Sequence, residues 1–308
     1  MQVIAVDVGG SSIKAALMDQ RARVLAAARA ATPRDDTTGE QVVAEVADLV
    51  GRLAASSSEP VGAVGLVVPG IVDEQRGRSV FAGNLGWHDL PLRDLLSVAC
   101  GLPVAFGHDV RAGGLAEVRL GAARGHRNAL VVPVGTGIAA ALVIDGQPYA
   151  GNGYAGELGH LVVEPGGEPC VCGRRGCLEA IASAAALARR YSARSGEPVR
   201  GAADVVERVA AGDPVAQAVW DEGITALARG LDAAITLLDP EIVVLAGGLA
   251  LAGDRLVREV RDRLAAQLTF QPVPEITTAQ LGDEAGCLGA GLLALDLLTQ
   301  PRFAPDPA

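Results

Sequence analysis

Two stretches of the chain repeat one alternation of apolar runs and tight polar turns. In VIAVDVGGSSIKAALMDQRARVLAAARA, apolar residues run from Val3 to Val8, a Gly-Gly turn follows, and a second run covers Ile13 to Met18. Asp19-Gln20-Arg21 then turns the chain into a third run. The pattern predicts three antiparallel strands joined by tight turns. The second stretch, ALVVPVGTGIAAALVIDGQPYA from Ala129 to Ala150, reads strand, glycine turn, strand, Asp-containing turn, short strand. Two such units predict a duplicated α/β fold with a cleft between its halves, each glycine turn offering backbone N–H groups to one ligand.

Between the copies the periodicity predicts a helix over 40–55, a strand over 61–68, a loop from Pro69 to His88, a helix over 92–100 and a strand over 104–107. After the second copy come a Gly/Cys-rich segment, helices near 183–195 and 202–211, and a long helix over 214–238. A strand at 242–246, a helix at 254–268, a strand around 275–279 and a closing helix at 285–298 complete the order. The tail from Pro301, with three prolines, is expected to fray. Strands alternating with helices favour a largely buried sheet flanked by helices. No low-complexity linker marks a boundary, so the duplication alone sets the expected division. It gives a smaller unit of residues 1–108 closed by 286–308, and a larger unit of residues 109–285.

Composition narrows the function classes. A chain of 308 residues can bury two cores. Aromatic residues are only 3%, so those cores must be built from Ala, Val, Leu and Ile. The net charge of -10 opposes a nucleic-acid partner, which needs a Lys/Arg-rich face. No apolar run is long enough to span a bilayer, and MQVIAVDVGG opens as a buried strand, not as a signal peptide. A cytoplasmic protein without a membrane partner is the expectation.

The candidate chemistry lies at the turns. In Asp7-Val8-Gly9-Gly10-Ser11-Ser12-Ile13-Lys14, a carboxylate at a strand end can hold Mg²⁺ through water. The glycines let the backbone approach phosphate oxygens, and Ser11 and Ser12 add hydroxyl donors. The segment is not a Walker A loop, which needs GxxxxGK[ST] opening a helix. Alone, an ordinary hairpin turn explains it equally well, and the same holds for Gly135-Thr136-Gly137. Two such turns in duplicated hairpins together point to phosphate binding. Asp109 follows a strand and starts a helix, so it is either an N-cap, which the local pattern favours, or a base aimed into a cleft and kept ionised by the helix dipole. A low-pKa base suits a loose phosphoryl-transfer transition state, in which the hydroxyl proton leaves late. The strand ending in Gly247-Gly248 can lay its backbone against adenine or ribose, although strand-Gly-Gly-helix turns are common. Asn84-Leu85-Gly86-Trp87 offers an amide and a nearby ring, or is a simple turn.

The most specific local pattern is GELGHLVVEPGGEPCVCGRRGCLE, from Gly156 to Glu179. Three of the five cysteines, Cys170, Cys172 and Cys177, crowd into eight positions, and His160 precedes the first by ten. One imidazole and three thiolates complete a tetrahedral set for Zn²⁺. With no open ligand position the site is expected to be structural, not a Lewis acid; reduced or redox-active thiols are the alternative. Glu157 and Glu179 flank it, and their carboxylates can accept from sugar hydroxyls. If one ring nitrogen of His160 serves zinc, the other is left for a hydroxyl. Cys100 and Cys287 sit apart in apolar helical surroundings and read as small core residues.

In order, these segments resemble the ROK family of sugar kinases, repressors and related open reading frames, over nearly the whole chain. The most specific part is ExGH at Glu157–His160 with CxCGxxGCxE at Cys170–Glu179. The resemblance implies two actin-like (ribonuclease H-like) α/β domains with a cleft for sugar and ATP between them. It implies that Asp7, Gly9, Gly10, Ser11, Ser12, Lys14 and Gly135, Thr136, Gly137 hold the phosphates of MgATP, with Gly247 and Gly248 near adenosine. It implies Asp109 as the catalytic aspartate, and Asn84, His108, Glu157, His160, Glu179 and the Gly70 backbone as further sugar contacts. Two departures stand out. The family usually has Asn immediately before the catalytic Asp, where this chain has His108, a longer and titratable side chain. The second phosphate motif more often reads GTGIGxG, where this chain has Gly-Thr-Gly-Ile-Ala-Ala; Ala139 narrows the backbone options there.

Three functions compete. The first is an ATP-dependent hexose kinase, glucose to glucose 6-phosphate by default, with another hexose or an N-acetyl amino sugar such as N-acetylmannosamine as alternative acceptors and polyphosphate as an alternative donor. The second is a sugar-responsive repressor. Its N-terminal helix-turn-helix has no room before Asp7, and the net charge opposes DNA contact. The third is a non-catalytic sugar sensor, against which Asp7, Lys14, Asp109 and the zinc ligands argue. A homo-oligomer, dimer or tetramer, is expected by resemblance only.

Overall fold

The apolar run near the N-terminus forms β1 (Gln2–Val8), in which every residue but Asp7 is buried. Such a strand belongs in the middle of a sheet covered on both faces. The computed structural model describes residues 1–299, so the proline-bearing tail lies outside the described residues. The chain continues through β2 (Ser12–Met18), β3 (Val24–Ala31), α1 (Glu40–Ala55), β4 (Val61–Val68), β5 (Ile71–Asp73), β6 (Arg78–Ala82), β7 (Trp87–Leu90), α2 (Leu92–Cys100), β8 (Val104–His108) and α3 (Asp109–Arg119). Then follow β9 (Ala129–Pro133), β10 (Ala141–Ile144), β11 (Gln147–Pro148), α4 (Leu178–Ala182), α5 (Ala184–Ser195), α6 (Ala202–Ala210) and α7 (Pro214–Leu238). The last elements are β12 (Ile242–Ala246), α8 (Asp254–Gln267), β13 (Glu275–Thr278) and α9 (Ala285–Thr299).

Backbone contacts divide the chain into two units, Met1–Ala116 with the segment from Glu284, and Glu117–Asp283. The first unit has a five-stranded sheet in the order β3-β2-β1-β4-β8, the second one in the order β11-β10-β9-β12-β13. Both orders read third, second, first, fourth, fifth among the strands of their own sheet. In each, the first three strands are antiparallel and the last two run parallel to the first. This is the duplicated actin-like α/β fold that the paired hairpins announced. No helix among the described residues is long and apolar enough to cross a membrane.

In the first unit, α1 and α2 cover one face of the sheet, with Val42, Val46, Leu49, Leu92 and Leu96 buried in one cluster with Ile4, Val6 and Val64. Each such side chain withdrawn from water stabilises by about 2 kcal/mol. The other face carries α9, whose small residues bring it unusually close. A Cβ on Gly65 of β4 would overlap the Ala290 carbonyl, and one on Gly289 of α9 would overlap the Ala112 carbonyl of α3. These close approaches lock α3 against α9, and α3 carries Asp109 at its first turn. The stretch 69–88, expected as a loop, instead forms a separate three-stranded sheet, β5-β6-β7. Its strands have three to five residues each, too short for period-two alternation to register.

The second unit's core gathers Leu130, Val132, Leu178, Leu187, Trp220, Leu227 and Val243 around α7. Asp213 starts that helix: its carboxylate accepts from the N–H groups of Val215 at 2.8 Å and Ala216 at 3.1 Å, and Pro214 occupies the position that needs no N–H.

Candidate functional site

In the first unit, β1 delivers Asp7 to a tight turn. The Gly9 N–H donates to the Ser12 carbonyl at 2.9 Å, and the Thr32 hydroxyl donates to the Gly9 carbonyl at 2.7 Å, so the turn is fixed from both sides. Gly10 and Ser11 stand exposed at its tip. The Asn84 amide lies over Gly10, where an added Cβ would come 3.1 Å from Nδ2. Lys14 pairs in register with Asp7 across the hairpin, and its Nζ lies 3.9 Å from Glu284. The N-terminal turn of α9 closes on Asp7, because a Cβ on Gly286 would sit 2.7 Å from its Oδ2. Trp87, whose ring was offered for ligand contact, is instead fully buried and donates its indole N–H to the Asp36 carbonyl at 2.8 Å.

Asp109 stands where β8 becomes α3, with 28% of its side chain exposed. Its Oδ1 accepts the Val110 N–H at 2.7 Å. The expectation that the helix end keeps it ionised is reversed. Burial first, and then the negative charge of Asp7, push its carboxyl up to about 7, outweighing the Val110 N–H and the Arg111 charge. A carboxyl so placed exchanges a proton near neutral pH, as a general base must.

The residue before it, His108, is buried, with its Nδ1 3.3 Å from the Asp109 carboxylate. Burial first, and then the Arg111 charge, bring the imidazole down to about 3, so it is neutral. Sequence reasoning did not single out Glu74 or Arg111. The Glu74 carboxylate accepts from the His108 N–H at 3.3 Å and from Arg111 Nε at 2.9 Å, bracing β8 and α3. Nothing local marked this pair, since Glu74 reaches β8 only through the β5-β6-β7 sheet. Gly70, at φ 93°, lies in the turn between β4 and β5; a Cβ there would overlap the Phe81 carbonyl.

In the second unit, the turn at Gly135–Gly137 is closed by a 2.9 Å bond from the Gly135 N–H to the Gly137 carbonyl. The Glu179 carboxylate, from α4, accepts the Ile138 N–H at 3.0 Å. Gly247, at φ 75°, packs against the Val134 backbone, and the Leu249 N–H donates to the Val134 carbonyl at 3.0 Å. The fold therefore puts Gly135, Thr136, Gly137, Gly247 and Gly248 on adjoining turns with accessible backbone. A 3-10 turn at Leu158–His160 lies directly over this segment: Cβ atoms on Gly156 and Gly159 would overlap the Ala140 and Ile138 carbonyls. Exposed Glu157 begins that turn and His160 ends it.

The ligand atoms of His160, Cys170, Cys172 and Cys177 all lie within 4.8 Å of one another. His160 turns Nδ1 to Cys170 Sγ at 3.7 Å, and Cys172 Sγ lies 3.6 Å from Cys177 Sγ. Donors on a tetrahedral Zn²⁺ with bonds of about 2.3 Å stand about 3.8 Å apart, so the set fits that ion. The loop is shaped by backbone bonds from the Cys170 N–H to the Arg174 carbonyl at 2.8 Å and from the Gly176 N–H to the Glu168 carbonyl at 2.8 Å. The Arg174 N–H brings the Cys172 thiol down to about 6, favouring the thiolate that binds metal. Burial pushes Cys177 up to about 12, a penalty that a bound cation removes. Because His160 offers Nδ1 to the cluster, its Nε2 is the nitrogen left over.

A family model described as "ROK family" matches residues 3–297. A glucokinase of Thermotoga maritima is 33% identical over 307 residues, covering 94% of this chain and 96% of the relative. Among solved structures, a ROK hexokinase from Thermus thermophilus superposes with a TM-score of 0.88 at 35% identity, covering 97% of this chain and 99% of that one. A ROK family glucokinase from Streptomyces griseus, in complex with glucose and AMPPNP, gives a TM-score of 0.81 at 31% identity, covering 96% and 100%.

Proposed function

Since the chain belongs to the ROK family, we propose that it is a sugar kinase that moves the γ-phosphoryl of ATP to a hexose hydroxyl, with O6 of glucose the first acceptor to test. The observation that carries this reading is the placement of Asp109 at the junction of β8 and α3, within range of the charge of Asp7, which ends β1 at a glycine turn. The kinases named above supply the reaction class.

MgATP is the second substrate. Its phosphates are held by the backbone N–H groups and hydroxyls of Gly9, Gly10, Ser11 and Ser12 and of Gly135, Thr136 and Gly137, with Lys14 adding charge and Gly247 and Gly248 beside the nucleoside. Asp7 holds the Mg²⁺ of MgATP through water. With the Asp7 charge so offset, its repulsion of Asp109 would fall away and the Asp109 carboxyl would ionise. Asp109 orients the hydroxyl and accepts its proton as the oxygen takes the γ-phosphoryl and ADP leaves. Asn84, Glu157, Glu179, the Nε2 of His160 and the Gly70 backbone are the proposed further sugar contacts. His160, Cys170, Cys172 and Cys177 would hold a structural Zn²⁺, which would supply rigidity to the loop that carries His160 and leads into Glu179. A cytoplasmic homo-oligomer, dimer or tetramer, is part of the same proposal.

The test is ADP release from MgATP against glucose, mannose, fructose, allose, N-acetylglucosamine and N-acetylmannosamine. One acceptor turning over, with Asp109→Ala reduced by several orders of magnitude, supports the reading. Silence across the panel from zinc-bearing protein refutes it in favour of a sugar sensor.

A further inference from the structure

His108 stands where a sugar contact is expected, yet its buried ring turns Nδ1 onto the first turn of α3. Nδ1 accepts the N–H of Val110 at 3.2 Å and that of Arg111 at 3.4 Å. These are the second and third residues of α3, so His108 occupies the N-cap position and its ring does the work usually given to Ser, Asn or Asp. A neutral imidazole has one acceptor and one donor, and the cap uses the acceptor. On its other side the ring faces the Gly70 backbone, which favours a proton on the ring. With Nδ1 accepting, the proton of the neutral ring lies on Nε2, and the Gly70 carbonyl is the acceptor we assign to it. Gly70 is itself pinned against β6, and Val68, two residues earlier, pairs in register with His108. The charged groups around the ring are Asp109, Arg111 and, through the His108 N–H, Glu74.

We infer that His108 is a positioning residue and not a sugar contact: held as the Nε2–H tautomer, it caps α3, ties the Gly70 carbonyl to the helix start, and so fixes the direction of the adjacent Asp109 carboxylate. For its catalytic consequence the inference rests on the kinase reading of Asp109; the tautomer and the cap do not depend on it. A ring with both nitrogens committed has none to offer a hydroxyl. Discrimination among sugars is then left to other side chains, and position 108 sets the rate, not the choice of acceptor.

Two measurements test this. The first compares wild type, His108→Ala and His108→Asn on glucose and on each monodeoxyglucose that turns over. An Asn amide can still cap α3 but ends one bond short of Nε2. His108→Ala is expected to lose roughly 10–100-fold in kcat, the scale of a misdirected reacting group, with the sugar KM within about threefold. His108→Asn is expected to recover most of that loss. The wild-type to His108→Ala ratio in kcat/KM is expected to be the same, within about threefold, for every deoxy sugar. A ratio that collapses towards one for a single deoxy sugar reveals a direct contact and overturns the inference. The second is ¹⁵N NMR of the imidazoles, with His108 assigned through His108→Asn. Expected is an unprotonated Nδ1, a protonated Nε2 and no titration between pH 5 and 8. A protonated Nδ1, or titration near 6.5, overturns the cap. If wild type phosphorylates no sugar, the kinase reading fails on its own, and the NMR experiment still decides the placement of His108.

Discussion

Replacing Asp109 by Asn is expected to make the protein more stable and inactive at once, and the pH dependence of the gain identifies the cause. The carboxyl rises from 3.8 to about 7 on folding, mainly because burial disfavours the anion and then because Asp7 repels it. A folded-state pKa above the unfolded one means that the native protein binds more protons between those values. Its contribution to stability is full below pH 3.8 and is lost as pH rises through about 7. At about 1.4 kcal/mol per unit, the loss above pH 7 is on the order of 4 kcal/mol. That is an upper bound, because 28% of the side chain is open to solvent. An Asn keeps the carbonyl that accepts the Val110 N–H and never ionises. Asp109→Asn should therefore melt with wild type at pH 4, pull ahead between pH 4 and 7, and hold a gain of several degrees at pH 8.5. The assay is thermal unfolding followed by circular dichroism across that range. If the variant is less stable at pH 8.5, or the difference does not change with pH, Asp109 is a helix-terminal anion stabilised by the dipole, and the argument for a desolvated base is wrong.

The hairpins that opened the sequence were readable because β1 and β9 are continuous apolar runs beside glycine turns. The bounds of α1 and α7 were readable for similar reasons, with Pro214 and Asp213 marking the start of α7. The β5-β6-β7 sheet was not, since its strands are too brief to carry a period. Helix α4, five residues long, was missed on the same ground, although it supports Glu179. At the site, the spacing of His160, Cys170, Cys172 and Cys177 announced a cluster that the fold assembles within 4.8 Å. The protonation of Asp109 was not legible, because it depends on Asp7, about a hundred residues away in sequence, and on burial. The role of His108 needed the positions of Gly70, Glu74 and the first turn of α3, none of which local pattern supplies. Adjacency of Gly247 to Gly135–Gly137 likewise follows from β12 pairing with β9, a tertiary fact.

Three further outcomes are expected. In pH profiles of kcat/KM taken with both substrates well below their KM, which report the free enzyme, the rate should rise about tenfold per unit below about 7 and level off above it, since only the ionised carboxylate accepts a proton; a flat profile from pH 5 to 9 under those conditions excludes Asp109 as the titrating base. Cys172→Ser should reduce bound zinc from one ion per chain to none, by elemental analysis, and raise the sugar KM with it, whereas buried Cys287→Ser should leave zinc unchanged; zinc retained by the Cys172 variant shows that the ion sits elsewhere. Gly65→Val would drive a side chain into the Ala290 carbonyl and should cost about 2–4 kcal/mol by denaturant unfolding; a neutral result means that α9 does not pack on β4 as described.

The account turns on Asp109 taking a proton from a sugar hydroxyl while a phosphoryl arrives. The most direct measurement is ³¹P NMR of glucose and MgATP incubated with wild type and with Asp109→Ala, matched for zinc content. The account predicts a sugar phosphomonoester growing in step with ADP for wild type, with its phosphorus coupled to the C6 protons, and none for the variant over the same time. An equal yield from both proteins would contradict it.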